Sequence, residues 1–261
     1  MIAVNLIRSE PHYRKDAFNA GLEGLGYRIE QDGKPNSRDD LLVIWNRMFP
    51  HEQKAAEWEA QGGTVLVCEN GYLAPTKWST YAISVHGHCG SGWFPIGDED
   101  RFTRLGIALD PWRPDGGDIL VCGQRGIGSR DMASPRHWER KTVDRLRAMG
   151  YRVRLREHPG RVPTSVTLEQ DLAGASLCVI WSSASGVRAL TLGIPVVYCA
   201  PHWICQSAAT SGLGTVARPL RDISARTRAM AAMAHGQWTI DEIAAGEPFR
   251  RILRQIGEAR W

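Results

Sequence analysis

The chain has 261 residues, of which 43% are hydrophobic and 23% charged, a composition typical of a globular protein with a sizeable core. Its formal net charge is +4, divided into −4 over residues 1–117 and +8 over residues 118–261, so an anionic partner is expected on the second half without nucleic acid being required. No uncharged apolar stretch reaches the roughly 18 residues that cross a membrane, and the start MIAVNLI lacks the cationic region of a secretion signal, so we expect a cytoplasmic protein with no integral membrane contact.

The first half alternates short apolar runs with segments of helical spacing that stop at glycine. The predicted strands are 2–7, 41–45 and 64–68, and the predicted helices are 14–25 and 51–61. Residues 69–100 are rich in Gly, His and aromatic residues without clear periodicity, which predicts functional loops. The Pro/Gly-rich connector PWRPDGG at 111–117 predicts a domain boundary.

The second half repeats the same cycle. The predicted strands are 118–122, 151–156, 177–181 and 194–199, the predicted helices are 136–149, 167–173 and 186–192, and the chain looks helical after residue 220. Near-continuous apolar strands favour a sheet covered on both faces. We therefore predict an α/β fold of two small doubly wound, Rossmann-like domains facing a cleft. Their limits are 1–112 and 118–248, and a helix at 249–261 packs back on the body.

Three strands of the second half end in residues suited to binding phosphate. They are followed by Gly123-Gln124-Arg125, by His158-Pro159, and by a serine-rich run that contains Ser182, Ser183, Ser185 and Gly186. Because the ligand crevice of an open parallel sheet lies beyond the carboxyl ends of its strands, these segments should converge on one site. The sequence therefore predicts a site for an anionic, nucleotide-linked ligand.

Motifs in both halves carry a family resemblance. The order Glu69-Asn70-Gly71, His158-Pro159, Ser182-Ser183 and then RALTLGIPVV at 188–197 resembles that of GT-B-fold glycosyltransferases, of the bacterial sialyltransferase and capsule-polysaccharide type and of the phage DNA type. The resemblance implies that the N-terminal domain holds the acceptor and the C-terminal domain a nucleotide-sugar donor. It also implies metal-independent chemistry with no cofactor beyond the donor as co-substrate.

The resemblance also implies roles for individual residues. His158 would donate to the leaving phosphate, Ser182 and Ser183 would bind the donor phosphate together with the free N–H groups of the following helix, and Glu69 would be the general base. Each has an alternative interpretation from the residues alone: the serines as helix N-caps, the histidine as a loop residue, the glutamate as the neighbour of an Asn-Gly turn. Asp98, Asp100 and His88 remain alternative bases.

One position departs from the family pattern. Many GT-B members carry a glutamate that binds the donor ribose where this chain has Arg188. An arginine donates hydrogen bonds only, so it suits a phosphate or a sugar carboxylate, as does Arg125. The identity of the donor is therefore open.

The SVHGHCGSGWF segment is predicted to line the acceptor side. His86, His88 and Cys89 are zinc-ligand types, but their spacing does not match structural zinc sites, and we predict no metal site. Trp93 offers a flat apolar face to a sugar or base, beside Asn70, His86 and His88. Asp98 and Asp100 form the acidic D-x-D pattern of another glycosyltransferase fold, which within GDEDR indicates a solvated loop.

Several functions remain open at this point. The compact basic second half favours a hydroxymethylated pyrimidine in phage DNA as acceptor, reached by base flipping. A bacterial surface or capsular glycan is the alternative acceptor, and the acidic N-terminal half argues for it. A GT-B-like nucleotide-sugar epimerase and a non-catalytic nucleotide-binding protein would share the same fold and anion site.

Overall fold

The computed structural model describes residues 1–73, 79–97, 100–128, 132–160 and 165–258. Contacts divide the chain into two compact units, Met1–Arg101 with Ala232–Trp261, and Phe102–Ala231. Residues 102–112 thus group with the second unit and residues 232–248 with the first, which differs from the limits that the sequence suggests. Within the described ranges, no helix is both long enough and apolar enough to cross a membrane.

Strands and helices are numbered here in chain order. The strands are β1 Ile2–Asn5, β2 Arg28–Glu30, β3 Leu41–Trp45, β4 Thr64–Asn70, β5 Tyr81–Val85, β6 Asp118–Cys122, β7 Val153–Arg156, β8 Ala175–Ile180, β9 Val196–Tyr198, β10 Thr210–Ser211 and β11 Gln237–Trp238. The helices are α1 Lys15–Glu23, α2 His51–Ala60, α3 Asp100–Arg104, α4 Trp138–Ala148, α5 Leu168–Ala173, α6 Ser185–Thr191, α7 Ile223–Ala234, α8 Ile240–Ala244 and α9 Glu247–Glu258.

The first unit is built on a mixed sheet of strand order β11-β5-β4-β3-β1-β2. β1 to β4 run parallel, whereas β5 and β11 add an antiparallel edge. The core lies on both faces: Phe18 of α1 and Phe249 of α9 pack on one side, and Trp58 of α2 on the other. Gly21 of α1 allows α8 to approach closely, because a Cβ there would lie 2.0 Å from the carbonyl oxygen of Ile243.

The second unit has a parallel sheet of order β10-β9-β8-β6-β7. All six residues of the β8 strand are buried, as its near-continuous apolar run predicts for a central strand covered on both faces. Trp138 and Leu146 of α4 pack against β6 and β8 in the core of this unit. The prediction of an α/β fold with two Rossmann-like halves is confirmed, with the antiparallel edge of the first sheet as a difference.

Two segments differ from the sequence-based prediction. Residues 69–100 are not all loop: β5 is a fully buried strand, and α3 begins at Asp100. The C-terminal region is not helical throughout, because β11 pairs antiparallel with β5 through Gln237 and Trp238. A two-residue strand shows too few side chains for a period to be recognised. β11 is a strand because it pairs with β5, which is distant in sequence, and β5 pairs with β4 on its other side.

Candidate functional site

The carboxyl ends of three parallel strands lie level in the second unit. Cys122 of β6 is in register with Arg156 of β7 and with Ile180 of β8. The segments that follow surround a pocket of about 220 Å³. Its lining residues are Cys122, Gly123, Arg156, Glu157, His158, Pro159, Leu168, Ser183 and Ser185. The three strand-end segments predicted to converge are therefore brought together.

His158 lies at this pocket with one ring nitrogen already bonded. The backbone N–H of Gly160 donates to Nδ1 over 2.9 Å, so the neutral ring carries its proton on Nε2. Burial, together with the positive charges of Arg125 and Arg156, lowers the pKa of His158 below its ordinary value. At neutral pH the ring is an uncharged donor, which suits hydrogen bonding to a phosphate oxygen.

Arg156 is a pocket residue that the sequence did not single out. Its guanidinium contacts the carboxylate of Asp171 and donates to the carbonyl oxygens of Val166 and Thr167 at 3.2 and 3.3 Å. The side chain is only 14% exposed, so these partners hold a positive charge at the pocket wall. Its place at the last position of β7, directly before Glu157, was the available signal.

The serine segment differs from the predicted arrangement. The side-chain amide of Gln124 holds Ser182, accepting from its N–H at 3.0 Å and donating to its hydroxyl at 3.2 Å. Ser183 Oγ accepts from the N–H and the hydroxyl of Ser185, and its carbonyl accepts from the N–H of Gly186. The N–H groups of Ser182, Ser185 and Gly186 are thus bonded within the protein. Ser183 and Ser185 are the two residues of this segment that line the pocket.

Two residues predicted to bind the donor, Gly186 and Arg188, make other contacts in the structure. Gly186 lies buried in the first turn of α6, where a Cβ would lie 2.6 Å from Ile180 Cδ1 and 2.8 Å from Trp203 Cζ2. Arg188 is exposed, its Nε donates to Glu169 over 3.0 Å, and it is not among the residues that line the pocket. Close packing therefore explains the glycine, and an ion pair engages the arginine.

In the first unit, Glu69 lies on β4 opposite Ala82 and is half-buried. Its Oε1 accepts the N–H of Cys89 over 3.1 Å, and the same N–H lies 3.0 Å from the hydroxyl of Tyr72. Burial raises the pKa of Glu69 to about 8, an effect that the hydrogen bond from Cys89 partly offsets. A carboxyl group with such a pKa is poised to accept a proton near neutral pH.

The two histidines of the adjoining loop have different environments. The exposed His86 contacts Glu59 through Nδ1 at 2.8 Å, and Glu59 also pairs with Arg47. His88 is 6% exposed, and burial together with the charge of Arg47 lowers its pKa to about 4, so its ring is neutral. In the parts of the chain that the structure describes, no three His, Cys, Asp or Glu side chains are grouped to hold a metal ion.

The other predicted acceptor residues are scattered. Asn70 is exposed at the end of β4, and Asp100 is exposed at the start of α3. Trp93 pairs with Val85 through two backbone hydrogen bonds of 2.9 and 3.0 Å, and its ring packs against the core. That packing does not fit the predicted free aromatic platform. Asp98 lies outside the described residues.

Two parallel-rich sheets with flanking helices make up a two-domain, Rossmann-like architecture, which is consistent with a glycosyltransferase fold. No family model matches the chain, and no curated protein does. Two similar solved structures are from Thermosulfurimonas dismutans KpsC. Its beta Kdo 2,7 transferase has a TM-score of 0.53 and 12% identity over 96% of this chain and 99% of its own. Its beta Kdo 2,4 transferase has a TM-score of 0.53 and 14% identity over 88% of this chain and 89% of its own.

At such low identity the likeness is one of fold. Both neighbours are named as Kdo transferases, and neither as a sialyltransferase or a DNA-modifying enzyme. The comparison thus supports the glycosyltransferase-like fold and gives no support to the sialyltransferase or phage DNA parts of the resemblance.

Proposed function

We propose that this protein is a glycosyltransferase that moves a sugar from a nucleotide-sugar donor to a hydroxyl group of a glycan. The DNA acceptor favoured by the charge of the second half gains no support from the structural neighbours. A glycan acceptor, the alternative that the sequence left open, agrees better with neighbours that are named for the transfer of Kdo. An activated Kdo is accordingly one of the first donors to test.

The observation that carries this proposal is the pocket of about 220 Å³ at the carboxyl ends of β6, β7 and β8. Around it lie a fixed arginine, Arg156, a neutral Nε2–H donor on His158, and the hydroxyls of Ser183 and Ser185. These groups complement a phosphate, with charge from the guanidinium and directed hydrogen bonds from the others. They would also stabilise the negative charge that develops on the leaving phosphate as the glycosidic bond breaks. In this proposal no metal ion is needed for that role.

The proposed base is Glu69 in the first unit. The acceptor hydroxyl must lose its proton as its oxygen forms the new glycosidic bond. Glu69 has a raised pKa, and one of its oxygens is already fixed by the N–H of Cys89. In this proposal the other carboxylate oxygen of Glu69 accepts the proton of the acceptor hydroxyl.

Donor binding tests the proposal directly. Purified protein is screened against UDP-, GDP- and CMP-activated sugars, including CMP-Kdo, by thermal shift and calorimetry, and sugar transfer to glycan acceptors is followed by mass spectrometry. We expect one nucleotide class to stabilise the protein. The pair Arg156→Gln and Arg188→Gln supplies the control: the first removes a charge at the pocket, the second an exposed charge paired with Glu169. A charge-assisted hydrogen bond contributes about 1.5–3 kcal/mol, so its loss in Arg156→Gln should weaken donor binding about 10- to 100-fold. Donor binding by Arg188→Gln should be unchanged.

Three results would contradict the proposal. If no nucleotide sugar binds, the assignment of the pocket as a donor site is wrong. Turnover of a nucleotide sugar without any acceptor would indicate an epimerase. Donor binding with neither hydrolysis nor transfer would indicate a binding protein.

A further inference from the structure

Tyr72 shares a hydrogen-bond donor with Glu69. The N–H of Cys89 lies 3.0 Å from the Tyr72 hydroxyl oxygen and 3.1 Å from Glu69 Oε1. The hydroxyl oxygen therefore serves as an acceptor here, which leaves its own proton for another partner. In the described part of the chain, no group accepts that proton.

The backbone around Tyr72 is held from a distant part of the sequence. Gln237 on β11 is fully buried, and its Oε1 accepts the N–H groups of Tyr72 and Leu73 at 2.6 and 3.4 Å. The N–H of Gly71 donates to the carbonyl of Thr80 over 3.0 Å. This anchoring fixes the backbone from which the Tyr72 side chain extends, and preorganised sites require such support.

The loop that supplies the shared N–H is conformationally costly. Cys89 has a φ of 57° and His86 a φ of 64°, a left-handed conformation that non-glycine residues seldom adopt. Strained residues of this kind cluster where a site imposes its geometry. Cys89, one of the two strained residues, is the residue whose N–H reaches both the carboxylate of Glu69 and the hydroxyl of Tyr72.

From this arrangement we infer that Tyr72 is a further acceptor-site residue, whose hydroxyl donates a hydrogen bond to the oxygen of the incoming acceptor hydroxyl. This inference rests on the proposed transferase function and on Glu69 as its base. In the step, the acceptor oxygen bonds to the anomeric carbon while the bond from that carbon to the phosphate oxygen breaks, and its electron pair leaves with the nucleotide. The acceptor proton passes to Glu69, and Tyr72 keeps its own proton. Tyr72 thus orients the acceptor oxygen and transfers no proton.

The test compares Tyr72→Phe with the matched variant Tyr81→Phe. Tyr72→Phe keeps the ring beside Phe94 and removes only the hydroxyl. Tyr81→Phe removes the hydroxyl that donates to the carbonyl of His12 elsewhere in the same unit. Acceptor KM, kcat, donor Kd, melting temperature and the pH profile are measured for both. We expect Tyr72→Phe to raise the acceptor KM and lower kcat/KM about tenfold, as the loss of one hydrogen bond of about 1.4 kcal/mol predicts.

The remaining readouts separate contact with the acceptor from a structural role. Donor Kd and the midpoint of the pH profile should be unchanged in Tyr72→Phe, and Tyr81→Phe should keep its acceptor KM. A shifted pH midpoint with an unchanged acceptor KM would overturn the inference, since Tyr72 would then act only through Glu69. If the enzyme is active and Tyr72→Phe has the wild-type acceptor KM and kcat/KM, this inference is wrong but the proposed function stands. If the wild-type protein transfers no sugar, the proposed function is wrong as well.

Discussion

The pH dependence of transfer is a direct test of the role of Glu69. With a pKa of about 8, its carboxylate fraction falls tenfold for each pH unit below that value. About one molecule in a hundred is ionised at pH 6 and about one in ten at pH 7. Because the base must be ionised to accept a proton, kcat/KM should rise about tenfold from pH 6 to pH 7 and level off above about pH 9.

The assay follows transfer at saturating donor from pH 6 to pH 10 in wild type, Glu69→Gln and Asn70→Ala. Glu69→Gln keeps the side-chain shape, so donor affinity should be unchanged while transfer falls about 100-fold or more and the slope disappears. Asn70→Ala alters the exposed neighbour at the end of β4 and should keep the slope. A flat wild-type profile between pH 6 and pH 8 would refute the reasoning, as would equal loss of donor binding and transfer in Glu69→Gln.

Three further predictions concern the second unit. His158→Ala should lower turnover about 100-fold or more, because it removes stabilisation of the leaving phosphate. Its melting temperature should be unchanged, because the His158 side chain is exposed. Normal turnover would exclude His158 from the chemistry. Ser183→Ala combined with Ser185→Ala should weaken donor binding about tenfold in calorimetry, and an unchanged donor Kd would place the phosphate elsewhere. Gly186→Ala should lower the free energy of unfolding by about 1–3 kcal/mol in urea titrations, since its Cβ would meet Ile180 and Trp203; wild-type stability would show that α6 can shift without cost.

Much of the second unit could be read from the sequence because its information is local. The β8 strand is almost wholly apolar, with Ser176 as its one polar residue, and a strand of this kind is typical of a sheet covered on both faces. Parallel strands place their carboxyl ends on one edge, so the convergence of the segments after β6, β7 and β8 followed from their order. The limit was in the side chains: the sequence offered Arg188 and missed Arg156, although both pair with a carboxylate and only Arg156 lines the pocket.

The first unit shows what only the tertiary structure decided. β5 and β11 are short, and hydrogen bonds between residues more than 150 positions apart place them in one sheet. The same long-range pairing brings Gln237 to the backbone of Tyr72. The sequence by itself determined the α/β class and the presence of Glu69 at the end of a buried strand. The raised pKa of that carboxyl, and its sharing of the Cys89 N–H with Tyr72, depend on burial and on loop geometry that no local pattern encodes.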